Sequence, residues 1–413
     1  MTAPIHINGD RLWQSLRTFA SFGATPGGGV SRLALSPEDK SGRDTLREWA
    51  VKDGFSCEVD ELGNMFIRRP GKNSELLPVM TGSHADSQPL GGNYDGIYGV
   101  LAGLEVLRTL NDLNIETERD LVLVNWSNEE GARFAPAMLA SGVWSGVFDT
   151  DFALSRKDSQ NVSFGSALTE IGYQGTRPAK SFPLHACYEL HIEQGPVLEA
   201  EQTDIGVVHA AMGQRWFDIT LTGFAAHAGT TPMSLRHDAL CGFAELTLAV
   251  ENIGNDYAED GRATIGMVNV TPNSRNVVPG CVTCSVEFRH PDSAMLEEME
   301  QALIHALAKL SVRNLTFIAD KIFDYAPIKF DDICLERISQ ATEELGYRHR
   351  KMVSGAGHDA CYINRVAPTA MIFIPCVKGI SHNEAEEIYP IWSEKGANVL
   401  LHTLLTAANE KAC

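Results

Sequence analysis

Residues 81–99 read TGSHADSQPLGGNYDGIYG, and this stretch decides the architecture. His84 is followed two residues later by Asp86. Nine residues further on, Asp95 stands in a glycine-rich turn. Upstream, LLPVM (76–80) is too short and too apolar for an exposed helix and reads as a buried strand. Downstream, IYGVLAGLEVLRTL repeats apolar residues at helical spacing and predicts a helix over 99–110. His84 therefore sits at a strand end, and Asp95 sits in the loop that enters a helix. In an open α/β sheet, ligands collect at such strand ends. A histidine followed by carboxylates suits a hard-to-borderline metal ion. Taken alone, the same residues also fit a surface HxD with no metal, and the rest of the chain has to decide.

At 413 residues the chain is long for one domain and comfortable for two. A composition of 44% hydrophobic and 21% charged residues is that of a globular protein. The net charge of −19 disfavours nucleic acid and anionic membrane as partners, because both call for basic surface. No run of apolar residues is long enough to span a bilayer. The N-terminus MTAPIHINGDRLWQSL lacks the charged and apolar regions of a secretory signal. Nine scattered cysteines, an odd number, fit reduced thiols and a cytoplasmic location. Cys281 and Cys284 form a CxxC, but inside an alternating strand-like run with no second pair at zinc-ribbon spacing.

In chain order, residues 8–22 predict a helix capped at Asn8 or Asp10. TPGGGVSR (25–32) has neither the P-loop pattern nor a dinucleotide fingerprint and reads as a flexible surface or pocket-edge loop. A helix over 37–53 and a strand hairpin from Cys57 follow. LVLVNW is a second buried strand, ending in Asn128-Glu129-Glu130-Gly131. Adjacent glutamates usually face solvent; placed directly on a strand end, they can divide the roles of metal ligand and general base. Residues 150–182 read as helical, loop-rich connection. CYELHIEQG places His191 and Glu193 on a strand, with Gln194 after it. From about 212 the pattern changes to the alternation of an antiparallel sheet with one exposed face. A long helix opened by Thr230 or Thr231, strands around 263–270 and 281–289, and a helix over 293–310 make a small α+β domain at 212–327, inserted into a larger one made of 1–211 and 328–413. Beyond it come a helix, the loop SGAGHDA, the buried strand APTAMIFIP, His382 in a Gly/Ser loop, and a closing helix over 393–409.

At least four of His84, Asp95, Glu130, His191 and His382 thus lie at or near predicted strand ends, although the five are far apart in sequence. Five such donors can hold two divalent ions if one carboxylate bridges. The set suits zinc, with manganese or cobalt as alternatives.

The stretches GSHADSQPLGGNYDG, NEEGARFAP, ELHIEQGPVLE, AHAGTTPM, NSRNVVPG, EFRHP, SGAGHDA, IFIP and GISHNEAE cover nearly the whole chain. On them, the sequence resembles the hydantoinase/carbamoylase branch of the M20 dinuclear metallohydrolases. That branch holds N-carbamoyl-L-amino-acid hydrolases, β-ureidopropionases and allantoate amidohydrolases. The resemblance implies an α/β fold: a zinc-peptidase-like catalytic domain with a mixed central sheet, plus an inserted α+β lid domain that forms a homodimer. It implies two divalent ions per subunit, zinc foremost, with Mn2+, Co2+ or Ni2+ as alternatives. The implied ligands are His84, Asp95 (bridging), Glu130, His191 and His382. Glu129 matches the general base and Asp86 a carboxylate that fixes the His84 tautomer. Gln194, His227, Asn276, Arg289 and His358 match substrate-binding residues, and His227 also matches an oxyanion stabiliser.

The implied reaction is cleavage of the carbamoyl C–N bond of an N-carbamoyl amino acid, giving the free amino acid, carbon dioxide and ammonia. Glu129 takes a proton from water and returns it to the leaving nitrogen. Arg289 holds the substrate carboxylate in a bidentate pair. An allantoate amidohydrolase and an aminoacylase- or peptidase-like relative are the alternatives. A non-catalytic binding protein is a further one, and it would have no need of Glu129.

Overall fold

The structure is a computed structural model and describes residues 4–257 and 260–411. The chain forms two compact units, Met1–His209 with Phe330–Cys413, and Ala210–Lys329.

The first unit is built on one mixed sheet. Its strands lie in the order Ser56–Val59, Met65–Arg69, Leu121–Trp126, Val79–His84, Ala186–Ile192, Thr369–Ile374 and Ile205–Ala211, and His349–Ser354 also pairs with the last of these. The middle four are parallel to one another, and Ser56–Val59, Met65–Arg69 and Ile205–Ala211 pair with their neighbours in that order antiparallel. Every residue of these four strands is buried, as expected for parallel strands covered on both faces. One face packs Phe66, Val122, Val124 and Trp126 against Trp144, Leu184 and Ile363. The helices Ile97–Asp112 and Pro390–Asn409 pack on each other and on the sheet. Helix starts follow their caps: Asn8 accepts from Arg11 N–H ahead of Gly9–Phe19, and Ser36 accepts from Asp39 N–H ahead of Pro37–Lys52.

The second unit is an antiparallel sheet in the order Val268–Thr271, Cys281–His290, Gly213–Thr222 and Thr316–Tyr325, with Arg262–Thr264 also on Cys281–His290. The helices Ala239–Asp256 and Ser293–Lys309 supply Leu246, Val250, Leu303 and Leu307 to a core with Phe217, Ile219, Val286 and Phe288.

Several expectations are corrected. The strand expected over 76–80 begins at Val79 and runs to His84, since Pro78 offers no N–H to a ladder. No helix starts at Thr230 or Thr231. The helix begins at Ala239, where Asp238 accepts from Leu240 and Cys241 N–H, while the N–H groups of Gly229 and Thr230 are taken by His227 Nδ1. The strand carrying His191 ends at Ile192, so Glu193 lies just beyond it and accepts from Val197 and Leu198 N–H. Strands 262–264 and 268–271 replace the single run expected over 263–270. Thr316–Tyr325 and His349–Ser354 are strands that the sequence reading left out. Cys281 and Cys284 stand on one strand three residues apart, hence on opposite faces, with Cys284 in the core.

Candidate metal centre

The ends of the four parallel strands carry the site. His84 is the last residue of its strand, and Asp95 lies in the turn that leads to the helix beginning at Ile97. Glu129 and Glu130 follow the strand ending at Trp126, His191 precedes the end of its strand, and His382 lies in the loop after Ile374. Local backbone geometry is unusual here. Asn128, Gln194 and His382 all adopt the left-handed region, with φ of 58, 57 and 53°, the kind of strain that clusters at functional sites. Gly96 (φ 65°) must be glycine for a second reason: a Cβ there would lie 2.3 Å from the His84 ring.

The five expected ligands come together around Asp95. Its Oδ1 lies 3.1 Å from His191 Nε2 and 3.8 Å from His84 Nε2. Its Oδ2 lies 3.5 Å from His382 Nε2, which is 3.3 Å from Glu130 Oε2. Two donor groups result, His84–Asp95–His191 and Asp95–Glu130–His382, each with ligand atoms within 4.8 Å of one another. Asp95 belongs to both, one oxygen facing each group. His84 Nδ1 lies 3.0 Å from the Asp86 carbonyl oxygen, and His191 Nδ1 lies 2.9 Å from the Ile192 carbonyl oxygen. With both Nδ1 atoms donating to main chain, both Nε2 atoms face the cluster as ligands. This donor set fits a pair of divalent cations of the zinc, manganese or cobalt kind.

Although burial opposes it, Asp95 raises the His191 imidazole to about 9, and a cation bound there would replace that proton. Burial pushes Glu129 well above the ordinary carboxylate range, and Asp359, Glu130 and Asp86 add to it. Burial does the same to Glu130, with Asp95 and Asp86 adding. Burial also pulls the His84 imidazole down to about 4, which favours the neutral, ligating form. Although burial opposes it, Asp95 is held well below the usual range by His191 and His84. So many buried carboxylates repel one another, and cations held between them would offset the repulsion.

Glu129 is buried, and its Oε2 lies 3.5 Å from His84 Nε2, beside the first donor group. Asp86 differs from expectation. The His84 tautomer is fixed by the main-chain oxygen of Asp86, whose carboxylate is 3.8 Å from Nδ1. The carboxylate instead accepts from the N–H groups of Glu129 and Glu130, both at 3.2 Å, so it fixes the backbone that carries both glutamates. Gln194 donates from Nε2 to Asp95 Oδ2 (2.7 Å), and its buried Oε1 has no hydrogen-bond partner. His358, expected on the substrate side, is buried with its ring 4.7 Å from that of His191 and its Nε2 2.9 Å from Ser354 Oγ. One of its ring nitrogens also shares a donor group with Glu189 and His191. The remaining three expected residues lie in the second unit. His227 is exposed and accepts at Nδ1 from Gly229 and Thr230 N–H (3.0 and 3.2 Å), which leaves the proton on Nε2. The main-chain carbonyl of Asn276 accepts from the N–H of Ala228 (3.0 Å), the residue after His227. Arg289 donates from Nε to Glu287 Oε1 (2.6 Å).

Sequence reasoning missed several supports. Glu386 accepts from the N–H groups of Tyr94 and Asp95 and from Ser381 Oγ. Ser381 Oγ also lies 2.8 Å from Asp95 Oδ2, and Gln88 donates to Glu130 Oε2. Glu189 accepts from Ser83 Oγ and Ala360 N–H. Gln88 and Glu386 fall inside the stretches quoted for the resemblance, the one signal that could have drawn attention to them.

Residues 80–406 match the Peptidase family M20/M25/M40. The chain is 45% identical over 403 residues to the N-carbamoyl-L-amino-acid amidohydrolase of Rhizobium meliloti, with 97% of each chain covered. It is 33% identical to the allantoate amidohydrolase of Bacillus subtilis, covering 94% of this chain and 95% of that one. Among solved structures, an amidase of the hydantoinase/carbamoylase family from Burkholderia multivorans superposes with a TM-score of 0.91 at 55% identity, covering 99% of this chain and 100% of that chain. No helix among the described residues is long and apolar enough to cross a membrane.

Proposed function

This chain belongs to the M20/M25/M40 peptidase family, and from that premise we propose that it hydrolyses the carbamoyl C–N bond of N-carbamoyl-L-amino acids. The observation that carries the hydrolytic reading is Asp95, whose two oxygens face separate His/carboxylate groups beside a buried, non-ligating Glu129. The substrate class rests on the relatives: the carbamoyl-amino-acid enzyme is more similar than the allantoate enzyme.

Two bound divalent ions, zinc foremost, would supply Lewis acidity and a water of lowered pKa. His84, His191 and Asp95 would hold one, and Asp95, Glu130 and His382 the other. Glu129 takes the proton of the attacking water as its oxygen adds to the ureido carbonyl. The same carboxyl then gives that proton to the amino-acid nitrogen as the C–N bond breaks. The released carbamate falls to carbon dioxide and ammonia. Nε2–H of His227 is a donor for the oxyanion, Gln194 and Asn276 contact the ureido group, and Arg289, oriented by Glu287, pairs with the substrate carboxylate.

The proposal includes a homodimer through the inserted unit. His227 and Asn276 lie beyond the Cys281 end of strand Cys281–His290, since Gly223 N–H bonds to Gly280 and His227 pairs with Val277. Arg289 lies at the other end, about 27 Å away at ~3.4 Å per residue. One active site using all three would therefore take them from two subunits. The edge strand Thr316–Tyr325 exposes Ile318 (59%) and Ile322 (55%), a surface suited to such contact. We place the protein in the cytoplasm, in keeping with nine cysteines scattered through the sequence with no pairing pattern.

The test is ammonia release by metal-loaded protein from N-carbamoyl-L-α-amino acids, N-carbamoyl-β-alanine and allantoate, with Glu129→Gln as control. Release from the first class, lost in the variant and after chelation, supports the proposal. Release from allantoate or N-carbamoyl-β-alanine alone reassigns the substrate. No release from any of them, with metal bound, overturns it.

A further inference from the structure

His382 differs from the other ligands. Its side chain is half exposed (51%), and its backbone is left-handed. Its loop, more than a packed wall, has to set where the ring stands. That loop is held from two sides. On the inner side Glu386 is inserted into the Asp95 turn, accepting from Tyr94 N–H (2.9 Å) and Asp95 N–H (3.0 Å). On the outer side lies the glycine-rich segment at Thr25–Gly29. Thr25 Oγ1 donates to Glu384 Oε1. A Cβ on Gly27 would fall 2.3 Å from the Glu384 carboxylate. One on Gly29 would fall 2.2 Å from the Gly91 carbonyl oxygen and 2.7 Å from Glu384 Cα. The same segment is tied to the Asp95 turn. Val30 and Gly91 exchange both N–H···O bonds (3.0 and 2.9 Å), and Asn93 Nδ2 donates to the Gly28 carbonyl (2.8 Å).

We propose that Thr25–Gly29 is a latch that positions His382, through the Thr25–Glu384 hydrogen bond and the close backbone approach at Gly29. The latch closes the His382 loop onto the turn carrying Asp95 and so completes the Asp95–Glu130–His382 group. Thr25, Gly29 and Glu384 are positioning residues. Gly29 has to be bare because its backbone lies against the main chain of Gly91 and Glu384. This inference rests on the reading of the site as a two-ion centre.

The test uses the full chain, stripped with chelator and titrated with Co2+. Calorimetry gives the number of ions and their affinities, and visible absorption follows each ion's ligand field. Variants are Thr25→Val, Gly29→Ala, Glu384→Ala and Glu384→Gln, with His382→Ala as reference. Wild type should bind two ions. Thr25→Val and Glu384→Ala should keep one ion at wild-type affinity and weaken the other about 10- to 100-fold, the scale of a lost hydrogen bond to a charged group. Their spectra should change as in His382→Ala. Glu384→Gln keeps an acceptor for Thr25 and should stay close to wild type. Gly29→Ala should match or exceed Glu384→Ala; if it fails to fold, Thr25→Val, which changes one hydroxyl to a methyl, decides alone. Two ions with unchanged affinities and spectra in Thr25→Val and Glu384→Ala would overturn the latch and leave the two-ion centre standing. A wild type that takes up no pair of ions would overturn the two-ion reading itself.

Discussion

Asp86→Asn tests how the base is placed. The Asp86 carboxylate accepts from two successive N–H groups, Glu129 at Oδ1 and Glu130 at Oδ2, both at 3.2 Å. Asparagine presents one oxygen and one NH2, so one of these N–H groups loses its acceptor and meets a donor. A hydrogen bond to a charged group contributes about 1.5–3 kcal/mol, and a buried donor left without a partner costs a similar amount. If that loss falls on the geometry of Glu129, kcat should drop ~10- to 150-fold. The His84 tautomer should be untouched, because its Nδ1 faces the Asp86 main-chain oxygen, which asparagine retains. The assay is kcat at full metal loading, together with ion affinity and the imidazole N–H resonance of His84. The expected result is a lower kcat, an ion at the His84 group held as in wild type, and an unchanged N–H signal. A loss of that ion with kcat per loaded enzyme unchanged would refute this reasoning and return Asp86 to the role of carboxylate partner to His84.

Glu129→Gln should bind ions like wild type and lose about 10²- to 10⁴-fold in kcat, the usual contribution of a general base; metal analysis alongside turnover checks both halves. Ile318→Asp with Ile322→Asp should give a monomer by light scattering that still binds two ions but is inactive; an active monomer would remove the need for a second subunit. Leu303 is fully buried in the core of the inserted unit, and Leu303→Ala should destabilise that unit by about 2–5 kcal/mol, read from denaturant unfolding. Against the opposing effect of burial, Arg337 and His185 hold Glu410 below its usual value. A depressed carboxylate pKa stabilises above the unfolded value of 4.5 and loses that stabilisation as pH falls through the folded one. Unfolding midpoints should thus fall less steeply below pH 4.5 in Glu410→Gln than in wild type, and identical slopes would discount the pairing.

What could be read from sequence was what is local. An apolar run followed by a chemistry-bearing residue located the strand ends behind His84, Glu129, Glu130 and His191, because burial on both faces leaves an unbroken apolar stretch. The same logic failed where a local signal met a stronger competitor. Thr-Thr-Pro resembles a helix start, yet the N–H groups of Gly229 and Thr230 are captured by His227 Nδ1, and the helix waits for Asp238. TFIADKIFDY was overlooked as a strand because it is an exposed edge with a register shift between Lys321 and Phe323, so burial imposes no clean alternation on it. The HxD spacing correctly brought Asp86 near His84. It could not show that the carboxylate turns to the 129–130 backbone, a partner supplied by a different strand. Glu386 was illegible for the same reason. In GISHNEAEE it looks like one of several solvated acids, and only the fold buries it against the turn at Asp95.

The buried acids around this site sort themselves by what answers their charge. Asp86, Glu189 and Glu386 are answered by main-chain N–H groups: those of Glu129 and Glu130, of Ala360, and of Tyr94 and Asp95. Such carboxylates are fixed to the backbone and act as scaffold. Asp95 and Glu130 are answered by side chains: imidazoles for both, with Gln194 and Ser381 on Asp95 and Gln88 on Glu130. Asp95 Oδ1 faces His191 and His84, whose Nδ1 atoms are committed to main-chain oxygens, and is placed to share a cation with them. Glu129 belongs to neither group. Its backbone N–H is pinned by Asp86, while its carboxyl stands 3.5 Å from His84 Nε2 and is pushed well above the usual range, by burial first and then by neighbouring like charges. That is the arrangement the proposed general base requires; Glu130, whose N–H is held in the same way, is set apart by its carboxylate, which faces His382 and accepts from Gln88.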